Sequence, residues 1–318
     1  MSRNDVHAYG LQIFHSQKYF ADLGEHIMPI RKFQLVRDAI AASGTPVRLA
    51  EPERVSDEDL LRVHTPEYLR AIATGEPAAL ASSQKFPWSA ALGEAVRWTN
   101  GGCIAALGAA LDDGIAGNLA SGFHHSHGPH GEGFCTFNGL VVAMERLKAD
   151  GRLGRGLILD MDLHYGNGTA SLLATRPWLF QLSIYGNWYK QNLAYRDVTQ
   201  ERAPDTFNAK SVPVPAGSKG QEYVGLLAAH LPKLVDEARP DVLFYQAGAD
   251  PYREDPYSPL DLGHDDLRAR DAFVFEFCKR RGLPVAYVLA GGYTKDVSKV
   301  VEVHVNTFRA ASSVFGNR

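Results

Sequence analysis

The stretch GLILDMDLHYGNGT, residues 156–169, runs from an apolar segment into three ionisable side chains. Asp160, Asp162 and His164 stand at alternate positions, so in an extended chain they point to the same side. Carboxylates and imidazoles are costly to remove from water, and at the mouth of a buried strand they persist only when paired or bound to a cation. The stretch therefore predicts a buried strand that ends at a metal site.

Short apolar, β-branched runs like this one alternate along the chain with longer segments of helical period. That alternation is typical of βα units around a largely parallel sheet, so we predict one α/β domain over residues 1–318. The irregular segment 188–211 is too long for a plain connection and is a candidate binding loop. The predicted strands are 11–15, 46–50, 114–120, 156–161, 179–184, 241–248 and 284–292. The predicted helices are 30–43, 90–112, 138–149, 219–237, 264–281 and 295–314.

The composition is that of an ordinary globular protein. Of 318 residues, 45% are hydrophobic and 22% are charged, and 33 basic against 36 acidic residues leave a net charge of −3. This balance gives no electrostatic reason to expect nucleic acid or an anionic membrane as the main partner. A small or locally recognised substrate fits the composition better.

The cysteines and the N-terminal segment bear on the cellular compartment. Cys103, Cys135 and Cys278 form an odd, sparse set without CxxC spacing, which indicates neither a disulfide framework nor a cysteine zinc site. Residues 1–15 do not combine a basic segment with a long apolar one, and no apolar run approaches the roughly 18 residues of a spanning helix. We therefore expect a reduced, cytoplasmic protein that does not enter a membrane.

Chemically reactive side chains follow four of the predicted strands. His124 and His125 come after GNLASGF, the DMDLH segment after GLIL, Asp250 after DVLFYQAGA, and Tyr293 after VAYVLAGG. In open α/β sheets, ligands bind at the carboxyl ends of the strands. The four segments are therefore expected to converge in space.

Two of these segments supply the ligands of a catalytic metal centre. Asp162, His164 and Asp250 offer two oxygens and one nitrogen, and three protein ligands leave an open position, as in catalytic zinc sites. The alternative is that the DMDLH residues are ordinary polar groups capping the next helix. The additional aspartate at a second strand end disfavours that interpretation. Iron tolerates the same donors.

The histidine pair and the tyrosine supply proton-transfer chemistry beside the predicted metal. One imidazole, which titrates near neutral pH, takes a proton from water and returns it to a leaving amine. Asp160 is not needed as a ligand and is available to orient a histidine. Gly291 and Gly292 let the backbone turn tightly before Tyr293, whose hydroxyl can stabilise an oxyanion.

A second group of metal-binding residue types, His127, His130 and Glu132, follows the histidine pair. Glycines and a proline separate its members. That spacing favours a flexible, solvated rim loop over a second metal site.

Six segments carry a family resemblance. In chain order they are HIMPIRKF (26–33), LLRVHTPEYL (60–69), HHSHGPHGEGFCTFN (124–138), LDMDLHYGNGTA (159–170), YQAGAD (245–250) and LAGGYTKD (289–296). Together they resemble the histone deacetylase, acetoin utilisation and acetylpolyamine amidohydrolase superfamily, most closely its class IV and related bacterial members. The resemblance implies the arginase-like α/β fold, with a central, mostly parallel eight-stranded sheet and helices on both faces. It also implies zinc-dependent hydrolysis of acyl amides.

The resemblance further implies a role for each catalytic residue. The three zinc ligands of the family match Asp162, His164 and Asp250, and its two histidines match His124 and His125. The aspartate bonded to the first histidine matches Asp160, and the transition-state tyrosine matches Tyr293.

Other family features match residues around this set. Phe134 matches the aromatic wall of the acyl-lysine tunnel, with Gly133 beside it, and Gly291 and Gly292 border the substrate. Arg31 corresponds loosely to an arginine near an internal acetate-release cavity. Family members also bind potassium, partly through main-chain carbonyls, and the matching residues are Asp160, Asp162, His164 and Ser183.

Asn167 departs from the aspartate that many class I members have at this position. Without a second carboxylate, His125 is expected to be less basic than His124. This favours His125 as the working acid–base group and His124 as its electrostatic partner. Asn167 is therefore included among the predicted catalytic residues.

We predict a zinc-dependent deacylase acting on an acylated lysine peptide or a small acylated amine, with potassium as a structural ion. The alternatives within the superfamily are an acetylpolyamine amidohydrolase and a deacylase of longer acyl chains. The short segment between His15 and HIMPIRKF does not favour the narrowed, dimeric entrance of the polyamine enzymes. A manganese ureohydrolase would need more bridging aspartates than DMDLH supplies. A non-catalytic acyl-group binder would not need the histidine pair and the tyrosine together.

Overall fold

The computed structural model describes residues 10–187 and 203–316. Most of the predicted binding loop, residues 188–202, lies outside this range. The prediction of one domain over residues 1–318 stays a prediction. Among the described residues, no helix has the length and apolar character needed to cross a membrane.

One eight-stranded sheet forms the centre of the described chain. Every pair of neighbouring strands is parallel, so the sheet is wholly rather than mostly parallel. The predicted α/β class is confirmed. The strands are β1 Leu11–Phe14, β2 Val47–Ala50, β3 Ile115–Ser121, β4 Gly156–Asp160, β5 Leu179–Tyr185, β6 Ala209–Pro213, β7 Val242–Ala247 and β8 Val285–Leu289. Their order across the sheet is β2-β1-β3-β8-β7-β4-β5-β6.

Strand β6 is the one strand that the sequence pattern does not predict, and it falls partly within the predicted loop. Its sequence AKSVP contains Lys210 and Ser211 and ends in a proline. It lies at the edge of the sheet and pairs with β5 alone. Because an edge strand does not need a continuous apolar run and tolerates proline, periodicity gives little sign of it.

Ten α-helices in the described ranges surround the sheet. The six long ones correspond to the predicted helices. The four short ones, of four to nine residues, are not predicted, because each is shorter than the window of about 11 residues over which a helical period is judged. The helices are α1 Lys32–Ala42, α2 Asp57–Leu61, α3 Pro66–Thr74, α4 Ala78–Ala81, α5 Ala90–Asp113, α6 Gly139–Ala149, α7 Asn167–Leu173, α8 Gly220–Ala238, α9 His264–Arg281 and α10 Val297–Phe315.

Alternate residues of β4 show that helices cover both faces of the sheet. Leu157 and Leu159 belong to a core shared with α1, α8, α9 and α10. Ile158 belongs to a second core shared with α5, α6 and α7. All five residues of β4 are buried, as expected for a parallel strand between two helical layers.

Helix α5 sets the position of the strand that leads to the histidine pair. It begins after Ser89, whose side chain accepts a hydrogen bond from the amide of Leu92. It ends at Gly114, where φ is 86°, a left-handed conformation that glycine adopts without strain. The chain then enters β3 directly, and His124 and His125 follow the end of that strand.

Candidate active site

The four reactive segments leave adjacent strands. β3, β8, β7 and β4 are consecutive in the sheet and mutually parallel. Their carboxyl ends therefore lie along one edge, where loops open and backbone amides are free. This topology brings together the histidine pair, the DMDLH segment, Asp250 and Tyr293.

Asp162, His164 and Asp250 form a compact buried group in which one ligand atom of each residue lies within 4.8 Å of the others. The Nδ1 atom of His164 lies 3.2 Å from Asp162 Oδ1 and 3.1 Å from Asp250 Oδ2. Backbone amides hold the second carboxylate oxygens: Gly291 donates to Asp162 Oδ2 at 2.9 Å, and Leu163 donates to Asp250 Oδ1 at 3.0 Å. One oxygen of each aspartate is thus directed towards the imidazole nitrogen.

Two buried aspartates side by side require a positive counter-charge. Burial and the charge of Asp162 raise the pKa of Asp250 above its ordinary value. A divalent cation among the three donors removes this repulsion. Two carboxylate oxygens and an imidazole nitrogen are ligands that zinc accepts in three-ligand catalytic sites. The residues present therefore fit a catalytic zinc ion.

Two residues hold the strand ends around this group. A Cβ on Gly291 would lie 2.0 Å from Asp250 Oδ2, so only glycine permits the close approach of β8. The fully buried Arg270 donates to the carbonyls of Gly248 at 2.7 Å and Met161 at 3.3 Å, which precede the two aspartates in sequence. Arg270 stands in the ordinary helical sequence HDDLRARD, and no motif there indicates its role.

The histidine pair lies beside the metal-ligand group, with ring centroids 3.9 Å apart and the rings tilted by 44°. His124 Nδ1 donates to Asp160 Oδ2 at 2.7 Å, as predicted for the aspartate not used as a ligand. Burial opposes protonation of His124, but the charges of Asp160 and Asp162 outweigh it and raise the pKa of His124. In contrast, burial and the neighbouring imidazoles lower the pKa of His125 well below its ordinary value. His125 is the less basic of the pair, in agreement with the prediction.

Glu132 determines which tautomer of His125 is present. The Nδ2 atom of Asn167 donates to Glu132 Oε1 at 3.2 Å, and a carboxylate can only accept. Asn167 Oδ1 therefore faces His125 Nδ1, 2.6 Å away, and this nitrogen must be the donor. In the neutral imidazole, His125 Nε2 then carries no proton and can accept one. Glu132 is buried, so the prediction that it lies in a solvated loop is wrong.

Replacing Asn167 with aspartate is expected to destabilise the protein. The new carboxylate would lie beside Glu132. Glu132 would then lose the amide donor that it now uses. Leaving a buried acceptor unsatisfied costs about 1–3 kcal/mol, so we expect a loss of that size in the free energy of unfolding by urea. Adding Glu132→Gln should restore a donor and recover most of the loss. Equal stabilities of Asn167→Asp and the double variant would contradict the proposed contact.

Tyr293 follows β8 and is half-buried. Its ring centroid lies 6.5 Å from that of His164 and 6.2 Å from that of Phe134. Its backbone amide donates to Asp255 Oδ2 at 2.7 Å, and Asp255 Oδ1 accepts from the amide of Tyr257. Asp255 therefore anchors the tyrosine loop, a role that the sequence pattern does not indicate.

Phe134 borders an apolar cavity next to Tyr293. The ring stacks on Phe86 with centroids 5.2 Å apart, and the amide donates to the carbonyl of Gln84 at 2.9 Å. Gly133 and Phe134 have φ angles of 50° and 65°, the latter unusual for a bulky residue and held by these contacts. The cavity has a volume of about 50 Å³. Its lining includes Met28, Ile30, Lys32, Phe86, Phe123 and Phe134.

Lys32, rather than Arg31, lines this cavity, and the prediction for Arg31 is wrong. Arg31 is exposed at the start of α1, with its guanidinium 5.5 Å from the ring centroid of Phe20. Lys32 lies on the inward face of the same helix and is fully buried. Its Nζ donates to the carbonyl of Ala290 at 2.7 Å and lies 5.6 Å from the Tyr293 ring centroid. Burial lowers the pKa of Lys32 to about 8.

Ser183 adjoins the DMDLH segment on the neighbouring strand. It pairs with Asp160 in the register of β4 and β5, and both residues are fully buried. The hydroxyl of Ser183 accepts from the amide of Gly166 at 3.3 Å. The predicted potassium ligands therefore share one buried neighbourhood behind the metal-ligand group.

Residues 26–308 match the family described as Histone deacetylase domain. An uncharacterised protein of Picosynechococcus sp. is 31% identical over 294 residues, which cover 92% of this chain and 94% of that protein. The Histone deacetylase-like amidohydrolase of Pseudomonas aeruginosa is 30% identical over 272 residues, 82% of this chain and 70% of that one. The fold is similar to that of the acetylpolyamine aminohydrolase from Burkholderia pseudomallei, with a TM-score of 0.74, 20% identity, and coverage of 96% of this chain and 99% of that one.

Proposed function

The chain belongs to the histone deacetylase family, and from this membership we propose that it is a zinc-dependent deacylase of acylated lysine peptides or small acylated amines. The family makes it a hydrolase of the deacetylase and amidohydrolase type. The observation that supports zinc is the Asp162–His164–Asp250 group, with its ligand atoms within 4.8 Å of one another. When bound, zinc polarises an amide carbonyl and makes water a stronger acid.

In this proposal the side chains divide the proton transfers and the charge stabilisation. His125 Nε2 takes a proton from water and returns it to the nitrogen of the leaving amine. Asn167 holds His125 in the required tautomer through the 2.6 Å contact at Nδ1. His124, bonded to Asp160, acts as the electrostatic partner. The Tyr293 hydroxyl donates to the oxyanion that forms when water attacks the carbonyl.

A structural potassium ion also belongs to the proposal. The supporting observation is the strand register that sets Asp160 opposite Ser183, with both residues fully buried and the DMDLH segment beside them. Main-chain carbonyls and a serine hydroxyl are hard oxygen donors that suit such a cation. The ion would support the backbone that carries Asp162 and His164.

A second candidate is a deacylase of chains longer than acetyl, and the apolar lining of the cavity supports it. The cavity is small, about 50 Å³, but it borders Phe134, whose ring centroid lies 6.2 Å from that of Tyr293. An acyl chain longer than acetyl would bury its first methylenes against this apolar lining. Lys32 on the cavity wall would bind the carboxylate product, the role expected of Arg31 from the sequence.

An acyl-substrate panel on metal-quantified enzyme distinguishes these candidates. The substrates are acetyl-lysine peptide, myristoyl-lysine peptide and acetylputrescine. Hydrolysis of none of them would contradict the proposed function. Preference for acetylputrescine would favour the polyamine alternative, and preference for the myristoyl peptide would favour use of the cavity.

Filling the cavity is expected to reduce long-chain activity selectively. Ile30→Trp should lower kcat/KM for myristoyl-lysine by at least about tenfold relative to acetyl-lysine, because an indole would fill the small cavity and exclude the acyl chain. Ile27→Trp is the matched control, since Ile27 is 49% exposed. An unchanged ratio of the two rates in Ile30→Trp would exclude the cavity as the acyl site.

The cytoplasmic location, without nucleic-acid or membrane partners, stays a prediction from the sequence.

A further inference from the structure

Outside the proposed catalytic centre, His127, His130 and Glu132 form a second group whose ligand atoms all lie within 4.8 Å of one another. The amide of His127 donates to the carbonyl of His130 at 3.0 Å, which closes a tight turn. This turn stacks the two imidazoles with ring centroids 4.7 Å apart. The glycines and proline between them therefore build a turn that brings the ligands together.

The distances between the donor atoms suit a small divalent cation. His127 Nε2 lies 3.1 Å from Glu132 Oε2, and His130 Nε2 lies 4.0 Å from the same oxygen. Ligands at about 2.0–2.1 Å from a tetrahedral zinc ion stand about 3.4 Å apart, between these two values. The group needs only a small adjustment to coordinate a metal.

The hydrogen bonds around His127 fix the tautomer that binds metals. The hydroxyl of Ser171 donates its one proton to the carbonyl of Gly168 at 2.7 Å. Its contact with His127 Nδ1, also 2.7 Å, must therefore have the imidazole as donor. In the neutral imidazole, Nε2 then carries a lone pair that points at the Glu132 carboxylate. Asn167 Nδ2 lies 3.4 Å from the same nitrogen, a long contact that offsets little of the repulsion between the two acceptors. A cation between the two acceptors, either a proton or a metal ion, removes this repulsion.

We propose that His127, His130 and Glu132 bind a divalent transition-metal ion of the zinc type, separate from the catalytic centre. Two imidazole nitrogens and one carboxylate oxygen are ligands that suit zinc and leave a position open to water. Ser171 orients His127 as such partners do for metal-bound histidines. Glu132 links the site to the histidine pair, because its second oxygen accepts from Asn167 at 3.2 Å.

Equilibrium dialysis against Zn²⁺, followed by elemental analysis of protein and buffer, tests the proposal on the full chain. We expect the wild type to take up one more Zn²⁺ per chain than His130→Ala. The side chain of His130 is 39% exposed, so its truncation should not prevent folding. His264→Ala, which removes a histidine from the start of α9, should bind as much Zn²⁺ as the wild type.

A second variant separates a metal site from a simple ion pair between His127 and Glu132. Ser171→Ala removes the acceptor that orients His127, together with the hydroxyl's bond to the Gly168 carbonyl, and keeps all three proposed ligands, so it should weaken binding of the additional Zn²⁺ by about tenfold or more. Because each comparison uses chains with the same catalytic ligands, the result does not depend on what the catalytic centre holds. Equal uptake by the wild type and His130→Ala would overturn the proposal, as would an affinity for the additional ion that Ser171→Ala leaves unchanged.

Discussion

The Asp250→Asn variant is expected to lose its catalytic zinc and, with it, nearly all turnover of an acyl-lysine reporter. The asparagine can still accept from the amide of Leu163, as Asp250 Oδ1 does at 3.0 Å, so the local backbone should be retained. It lacks the anionic oxygen directed at His164 Nδ1. Metal catalysis of this kind contributes several kcal/mol to transition-state stabilisation, so we expect a fall in kcat/KM of at least about 10³-fold.

Thermal unfolding with and without Zn²⁺ distinguishes loss of metal from loss of fold. Metal binding to the native state adds about 2.7 kcal/mol to wild-type stability when free metal is 100 times its Kd. That increment should shrink in Asp250→Asn, while the metal-free variant should stay folded, because the substitution removes one of two buried like charges as well as a charged partner of His164. Asp261→Asn is the control, since Asp261 is 45% exposed in a surface ion pair. Parental zinc content and turnover in Asp250→Asn would refute the ligand assignment.

His125→Ala is expected to lower kcat by about 10²–10⁴-fold while the catalytic metal is kept. The imidazole of His125 supplies the proton acceptor, and burial together with the neighbouring histidines lowers its pKa so that it stays neutral. The metal ligands are other residues, so removal of this ring should leave zinc content unchanged. The measurement is single-turnover hydrolysis of an acyl-lysine reporter with metal analysis of the same sample.

His264→Ala is a suitable control for His125→Ala. His264 stacks on Tyr252 with ring centroids 4.5 Å apart, away from the catalytic residues, so its loss should leave kcat unchanged. Turnover by His125→Ala at the wild-type rate would assign the proton transfer to another group. A loss of zinc in the same variant would instead show that His125 supports the metal ligands.

The division of work between the two histidines depends on their different partners. Asp160 is a buried acid bonded to His124 at 2.7 Å, and it favours the charged imidazolium. Asn167 is neutral and stabilises a charged His125 less than a carboxylate would, so burial and the neighbouring imidazoles keep the imidazole of His125 uncharged. A neutral residue is required at position 167 because Glu132 already places a carboxylate next to the amide group of Asn167. The presence of asparagine rather than aspartate at position 167 is thus explained by Glu132, which is 35 residues away in the sequence.

Local spacing alone predicts the α/β class, the long helices, seven of the eight strands and the reactive residues at the strand ends. This is possible because the side-chain period of a strand or helix is a property of a few consecutive residues. The alternation of Asp160, Asp162 and His164 directs three polar groups to one side of any extended chain. The fold class and the strand-end residues therefore need no knowledge of long-range contacts.

Contacts between distant segments have no such local pattern. Buried parallel strands are mostly apolar and similar in composition, so their order across the sheet is visible only in the folded chain. Three features of the site depend on which side chains meet after folding. They are the inward orientation of Lys32 in place of Arg31, the bonds from Arg270 to the backbone before the two aspartates, and the burial of Glu132 beside Asn167. Packing and hydrogen-bond satisfaction select these partners, and neither is a property of a short stretch of sequence.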